Sequence, residues 1–89
     1  MMWDKVTTME NLAANSCSIN GGVLEYENYV LVCGLTYRGF EAAIYSISAE
    51  NRESFDCESE ISLYKVCSEV FERNGDAMKW CYDNVKKSE

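Results

Sequence analysis

The stretch Tyr29-Val30-Leu31-Val32-Cys33-Gly34-Leu35-Thr36-Tyr37 constrains the fold more than any other part of the chain. Its β-branched and aromatic residues favour a pleated backbone. It is apolar on both alternating faces, so it predicts an interior strand covered on each side. Arg38-Gly39 reads as a hairpin turn, with Phe40 to Ile47 returning antiparallel. A two-residue loop at Arg38-Gly39 sets Tyr37 opposite Phe40, Leu35 opposite Ala42 and Cys33 opposite Ile44. One sheet face then carries Tyr29, Leu31, Leu35, Tyr37, Phe40 and Ile44. The other carries Val30, Val32, Thr36, Glu41, Tyr45 and Ile47, with Gly34 and Ala43 flattening its middle.

Around this hairpin the pattern is less regular. Thr7-Thr8-Met9-Glu10 fits a capping box, and Val6, Met9, Leu12 and Ala13 recur at helical spacing up to Asn15. Gly21-Gly22 signals a turn between Cys17–Asn20 and a strand over Val23–Glu27, and Glu27-Asn28 reads as a second break. After the polar connector Ser48 to Phe55, a helix is expected from Asp56 or Ser59. Ile61, Leu63, Tyr64, Cys67, Val70 and Phe71 would form its buried stripe, and Asn74-Gly75 its end. Asp76 would cap a last helix whose inner face is Met78, Cys81, Tyr82 and Val85, with Lys86 and Lys87 suiting its C-terminal dipole. The expected architecture is a single α+β domain over residues 1–89, ordered α-β-β-β-α-α. It has a three-stranded antiparallel sheet packed against helices on one side.

Charge and cysteine content narrow the function classes. Fifteen acidic residues against eight basic give a net charge of −7 and an isoelectric point near 4.5. That excludes non-specific binding to nucleic acid, which needs Lys and Arg against phosphate, and docking on anionic membranes. Met1 to Asn15 lacks a basic segment followed by an apolar one, and no run approaches a membrane span. A cytoplasmic protein is expected, in the host cytoplasm for a phage-encoded one. Cys17, Cys33, Cys57, Cys67 and Cys81 are odd in number and read as reduced thiols, most of them small core hydrophobes. Zinc is not expected: the closest pair, Cys57 and Cys67, lies ten apart and the chain has no His.

Catalytic signatures are lacking. Without His, Ser-His and Cys-His nucleophilic pairs cannot form, and no phosphate-binding glycine loop occurs. Asp56-Cys57-Glu58-Ser59-Glu60 resembles the opening of a calcium loop, but the sixth and twelfth positions hold Ile61 and Cys67 where Gly and Glu are needed. Glu25 and Glu27, two apart on a strand, would sit about 7 Å from each other, a separation suited to an inverting glycosidase. The simpler reading is a charged edge strand guarded against further pairing. Neither an enzyme nor a cofactor is expected.

The strongest local anomaly is acidic. Glu50, Glu53, Asp56, Glu58 and Glu60 lie together with only Arg52 opposing them, and Glu69, Glu72 and Asp76 continue the excess. Carboxylates at a helix start stabilise its dipole by about 0.3–1 kcal/mol each. Beyond that, the segment is a candidate anionic surface for a basic groove on a protein partner. A second candidate is a sheet-face patch of Val30, Val32, Tyr45 and Ile47, unless the first helix or a second copy covers it. In size, charge and element order the chain resembles phage-encoded counter-defence proteins of the anti-CRISPR and antirestriction kind. That resemblance implies an acidic, non-enzymatic inhibitor of a basic, nucleic-acid-handling protein, with nucleic-acid mimicry as one route, and carries no motif or residue role. The alternative is a self-associating structural or adaptor module, forming a homodimer through its sheet edge or flat face.

Overall fold

A computed structural model describes residues 3–16, 22–48, 53–56 and 58–86. The elements run β1 (Val6–Thr8), α1 (Met9–Ser16), β2 (Gly22–Tyr26), β3 (Tyr29–Thr36), β4 (Gly39–Ser46), β5 (Glu60–Val66) and α2 (Asn74–Lys86). The strands form one antiparallel sheet in the order β1-β5-β4-β3-β2. The class is α+β, but the sheet has five strands rather than three. No described helix is long and apolar enough to cross a membrane.

The hairpin forms where the sequence places it, with a shifted register. Tyr37 and Arg38 make the loop, so Thr36 faces Gly39, Leu35 faces Phe40 and Cys33 faces Ala42. The Thr36 hydroxyl closes the turn, donating to the Gly39 carbonyl at 3.0 Å and accepting from the Arg38 N–H at 3.2 Å. Tyr37, expected on a sheet face, is in the loop and exposed. Each residue that stays in a strand meets a partner two positions from the expected one and, because side chains alternate with period two, keeps its predicted face.

Both faces of the hairpin are apolar and both are covered, by different helices. Leu31, Cys33, Phe40, Ala42 and Ile44 pack beneath α2, which contributes Ala77, Cys81 and Val85. Val30, Val32, Ala43, Tyr45 and Ile47 form a second core with Leu12 of α1 and Ile61 of β5. The expectation of helices on one side is therefore corrected: a pair of strands apolar on both faces needs a cover on each.

The largest departure lies at 59–71, where a helix was expected and β5 is found. Ile61, Leu63, Tyr64 and Cys67 fit a helical stripe, yet Ile61 and Leu63 also alternate, and a short apolar run leaves the period ambiguous. Tertiary context decides it. Positions 40 to 45 of β4 are all buried, so its outer backbone groups must be paired with protein. Only a further strand does that, and β5 pairs with β4 from Ser46 to Ala43, with Tyr64 as the extra residue at a bulge. The chain then continues along β4, where the Cys67 N–H donates to Ala42 and Phe40 and Phe71 exchange both backbone bonds at 2.8 and 2.9 Å.

Two helix starts also move. Thr7 belongs to β1, and Thr8 caps α1, its hydroxyl oxygen accepting the Asn11 N–H at 3.2 Å. Asn74-Gly75 opens α2 instead of ending an earlier helix, and Asp76 sits in its first turn.

Candidate functional site

The acidic segment lies in the connection from β4 to β5. Glu53, Asp56, Glu58 and Glu60 are all exposed, Glu60 beginning β5; Glu50, Arg52 and Cys57 lie outside the described residues. The four carboxylates are not equivalent. Asp56 builds the turn: its Oδ1 accepts the Glu58 N–H at 2.8 Å and the Ser59 hydroxyl at 3.2 Å, while the Ser59 Oγ accepts the Asp56 N–H at 3.2 Å. Glu53, Glu58 and Glu60 project from a loop that Asp56 shapes. No helix begins here, so none of these charges complements a helix dipole.

The sheet-face patch is not a surface. Val30, Val32, Tyr45 and Ile47 are all buried in the core beneath α1, the covering that competed with a binding role in the sequence. The Tyr45 hydroxyl donates to the Asp4 carbonyl at 2.6 Å, tying the N-terminal segment across that core. Burial, reinforced by the Asp4 carboxylate, pushes the Tyr45 phenol up to about 12.

The Glu25 and Glu27 pair also dissolves. Glu25 is exposed on β2, whereas Glu27 lies in the tight turn to β3 with φ of 55°. They do not share a strand, so the strand spacing that suggested an acid and base pair does not apply.

The opposite flank of α2 carries a feature that sequence reasoning missed. Asp76, Lys79, Trp80 and Asp83 recur at helical spacing and, with Phe71, line an open groove of about 350 Å³. Phe71 is held there by its backbone bonds to Phe40, and Gly39 makes the approach close: a Cβ on Gly39 would lie 3.0 Å from the Phe71 carbonyl oxygen. Lys65 reaches over from β5, its Nζ 5.9 Å from the Trp80 ring centroid and donating to Asn84 Oδ1 at 2.7 Å. Asn84 in turn donates to the Trp80 carbonyl at 2.7 Å. The periodicity of α2 sets Trp80 apart from Cys81 and Val85, but the groove also needs the position of Phe71, which depends on β5.

Further along α2, Tyr82 meets Tyr26 edge-on with centroids 5.1 Å apart, and on the sheet Tyr29 meets Tyr64 at 5.2 Å. The first pair joins α2 to β2, and the second links β3 to β5 within the sheet. Cys33, Cys67 and Cys81 are buried free thiols, as the core reading expects; Cys17 and Cys57 lie outside the described residues. Cys81 donates to the Ala43 carbonyl at 3.5 Å and the Val32 carbonyl at 3.8 Å, and burial pushes its thiol up to about 12. It is a packing residue, far from thiolate reactivity at neutral pH. No metal-ligating group of three His, Cys, Asp or Glu occurs among the described residues.

Glu41 is a buried carboxylate on the α1 side of β4, opposite Gly34. Burial raises its pKa, but hydrogen bonding and nearby positive charge, Thr36 and Arg38 among their sources, leave the carboxyl below its ordinary value. It is a carboxylate set near the loop end of the hairpin.

Against this geometry, a family model described as nucleotide modification associated domain 4 (Nmad4) matches residues 3–85. The chain belongs to the Nmad4 family. The match spans both cores, the acidic connection and the α2 groove, so each of these features belongs to the Nmad4 domain rather than to an appended segment. The family's description sets the domain in the context of nucleotide modification. No curated protein and no solved structure matches the chain.

Within the Nmad4 domain the central hairpin is covered on both faces, and the charged loop and the α2 groove lie at the surface.

Proposed function

We propose that this Nmad4 domain is a non-enzymatic binding module of a nucleotide-modification system. It presents an acidic surface to a basic, nucleic-acid-handling protein. The observation that carries this reading is the exposed trio Glu53, Glu58 and Glu60, held by a turn that Asp56 closes. Their charges are neither buried nor spent on a helix dipole, and they project a field that speeds encounter with a positive surface. The family's tie to nucleotide modification supplies the class of partner, since proteins that handle DNA or nucleotides carry basic grooves for phosphate.

The test is affinity capture with the tagged domain from cells that carry a nucleotide-modification system, washed at rising salt. The triple variant Glu53→Lys, Glu58→Lys, Glu60→Lys leaves Asp56, and with it the loop, intact. Capture of a basic protein that the triple variant loses supports the reading; capture that survives the reversal sinks it. The narrower form, a counter-defence inhibitor that mimics nucleic acid, adds the expectation that duplex DNA competes for the captured partner.

A second reading rests on β2. It is an edge strand, and Leu24 on it is 51% exposed. Pairing of β2 with its copy would extend the sheet and make the self-associating module. A monomeric mass by light scattering across salt concentrations rules that out.

A further inference from the structure

We infer that the α2 groove is an arginine-binding site: it takes a guanidinium side chain from the basic partner. The inference rests on the reading of an acidic module for a basic protein and adds a second contact surface to it.

Three observations converge on this occupant. The lining pairs two aromatic rings, Phe71 and Trp80, with two carboxylates, Asp76 and Asp83. A planar guanidinium is the cation that both stacks on a ring and hydrogen-bonds a carboxylate through a rigid fork. The carboxylates are seven residues apart on α2, which spaces them by about 10 Å along the helix. Either one can therefore receive the fork while the stem lies along the rings. Lys79 between them leaves the lining at one net negative charge, which suits a single cation and opposes a phosphate. Finally, Trp80 already accepts a cation from within the fold, since the Lys65 ammonium lies 5.9 Å from its ring centroid. Lys65 is anchored by Asn84 and does not line the groove.

The groove also lies beside exposed apolar surface. Val70 precedes Phe71 and flanks Gly39, and Leu35 pairs with Phe40 one strand further in. An arginine set among apolar residues of a partner segment would match both the groove and this margin.

The test follows the Trp80 indole N–H by two-dimensional NMR at constant ionic strength, with the Trp3→Phe variant assigning the two indole signals. The probes are an acetylated, amidated Gly-Arg-Gly peptide, its lysine counterpart, and guanosine monophosphate. The expected result is a saturable shift with the arginine peptide and a weaker one with lysine. Asp76→Asn or Asp83→Asn should loosen binding by about 2–5-fold, the range of an exposed ion pair, and Lys79→Ala should tighten it. No saturable shift with the arginine peptide, or affinity unchanged in both Asp variants, overturns the inference. A nucleotide site gives the opposite signs, weakening with Lys79→Ala and tightening with the Asp variants, and overturns it as well. The outcome is separable from that of the acidic loop. Partner capture that the triple lysine variant loses but Asp76→Asn, Asp83→Asn keeps refutes the groove and leaves the module reading standing. Absence of any captured basic protein refutes the module reading whatever the peptide does.

Discussion

At the scale of single residues, the fold depends on polar atoms placed inside apolar cores. The Tyr45 hydroxyl reaches the Asp4 carbonyl across the α1-side core at 2.6 Å. Tyr45→Phe keeps the ring and strands the carbonyl, so we expect a loss of about 1–2 kcal/mol in urea unfolding. Cys81 sets a pH limit. Its thiol is raised from 9.0 to about 12 by burial, so the folded chain holds a proton that the unfolded chain releases above about pH 9. A group whose folded pKa is raised contributes stability below the unfolded value and loses it as pH climbs toward the folded one. Stability should therefore fall from pH 9 upward by about 1.4 kcal/mol per pH unit for this group. Tyr45, raised from 10.0 to about 12, joins a unit later. In Cys81→Ala the absolute stability drops through the cavity, but the slope between pH 9 and 10 should flatten. Urea midpoints across that window check it, and an unchanged slope would show that Cys81 does not govern it. Trp3 is the opposite case, a half-buried ring whose buried Nε1 has no hydrogen-bond partner, so Trp3→Phe should cost less than about 1 kcal/mol.

At the scale of elements, the two hairpin turns hold opposite kinds of strain. Glu27 adopts φ of 55°, a left-handed conformation that an ordinary side chain resists by about 1 kcal/mol. Glu27→Asn relieves it, since Asn tolerates that region, and should raise the thermal midpoint. Gly39 has φ of 130° and an added Cβ would press on the Phe71 carbonyl oxygen. Gly39→Ala should cost about 1–3 kcal/mol and displace Phe71 from the groove. The hairpin itself was legible because Tyr29 to Tyr37 has the composition of a strand wherever it sits, and its faces survived the register shift because both registers share a parity. The identity of β5 was not legible. Ile61, Leu63, Tyr64 and Cys67 satisfy a helix as well as a strand, and only the need of β4 for a second partner separates them. That one reversal propagates. It moves the start of α2, hides the groove that Phe71 completes, and removes the helix dipole that seemed to account for the acidic loop. The acidic surface was legible since charge density is a property of sequence; the groove was not, since Phe71 and Trp80 meet only through tertiary structure.

At the scale of the whole molecule, a net charge of −7 makes the fold repel itself. Glu53, Glu58 and Glu60 lie exposed on the connection into β5, with no helix start to stabilise. Had they served the fold, reversing one would destabilise it. Here Glu58→Lys should instead leave stability unchanged or raise it by up to about 0.5 kcal/mol at low salt. The gain should shrink at about 1 M NaCl, where charges are screened within roughly 3 Å. Thermal midpoints of wild type and variant at the two salt concentrations measure both effects. Paired with affinity capture, the same variant separates two roles that sequence leaves confounded. A carboxylate that maintains the loop loses stability and binding together, as Asp56→Ala should, because its Oδ1 closes the turn. A carboxylate that meets a partner loses binding while stability holds or rises, the pattern expected where an interaction surface is maintained against the interest of the fold.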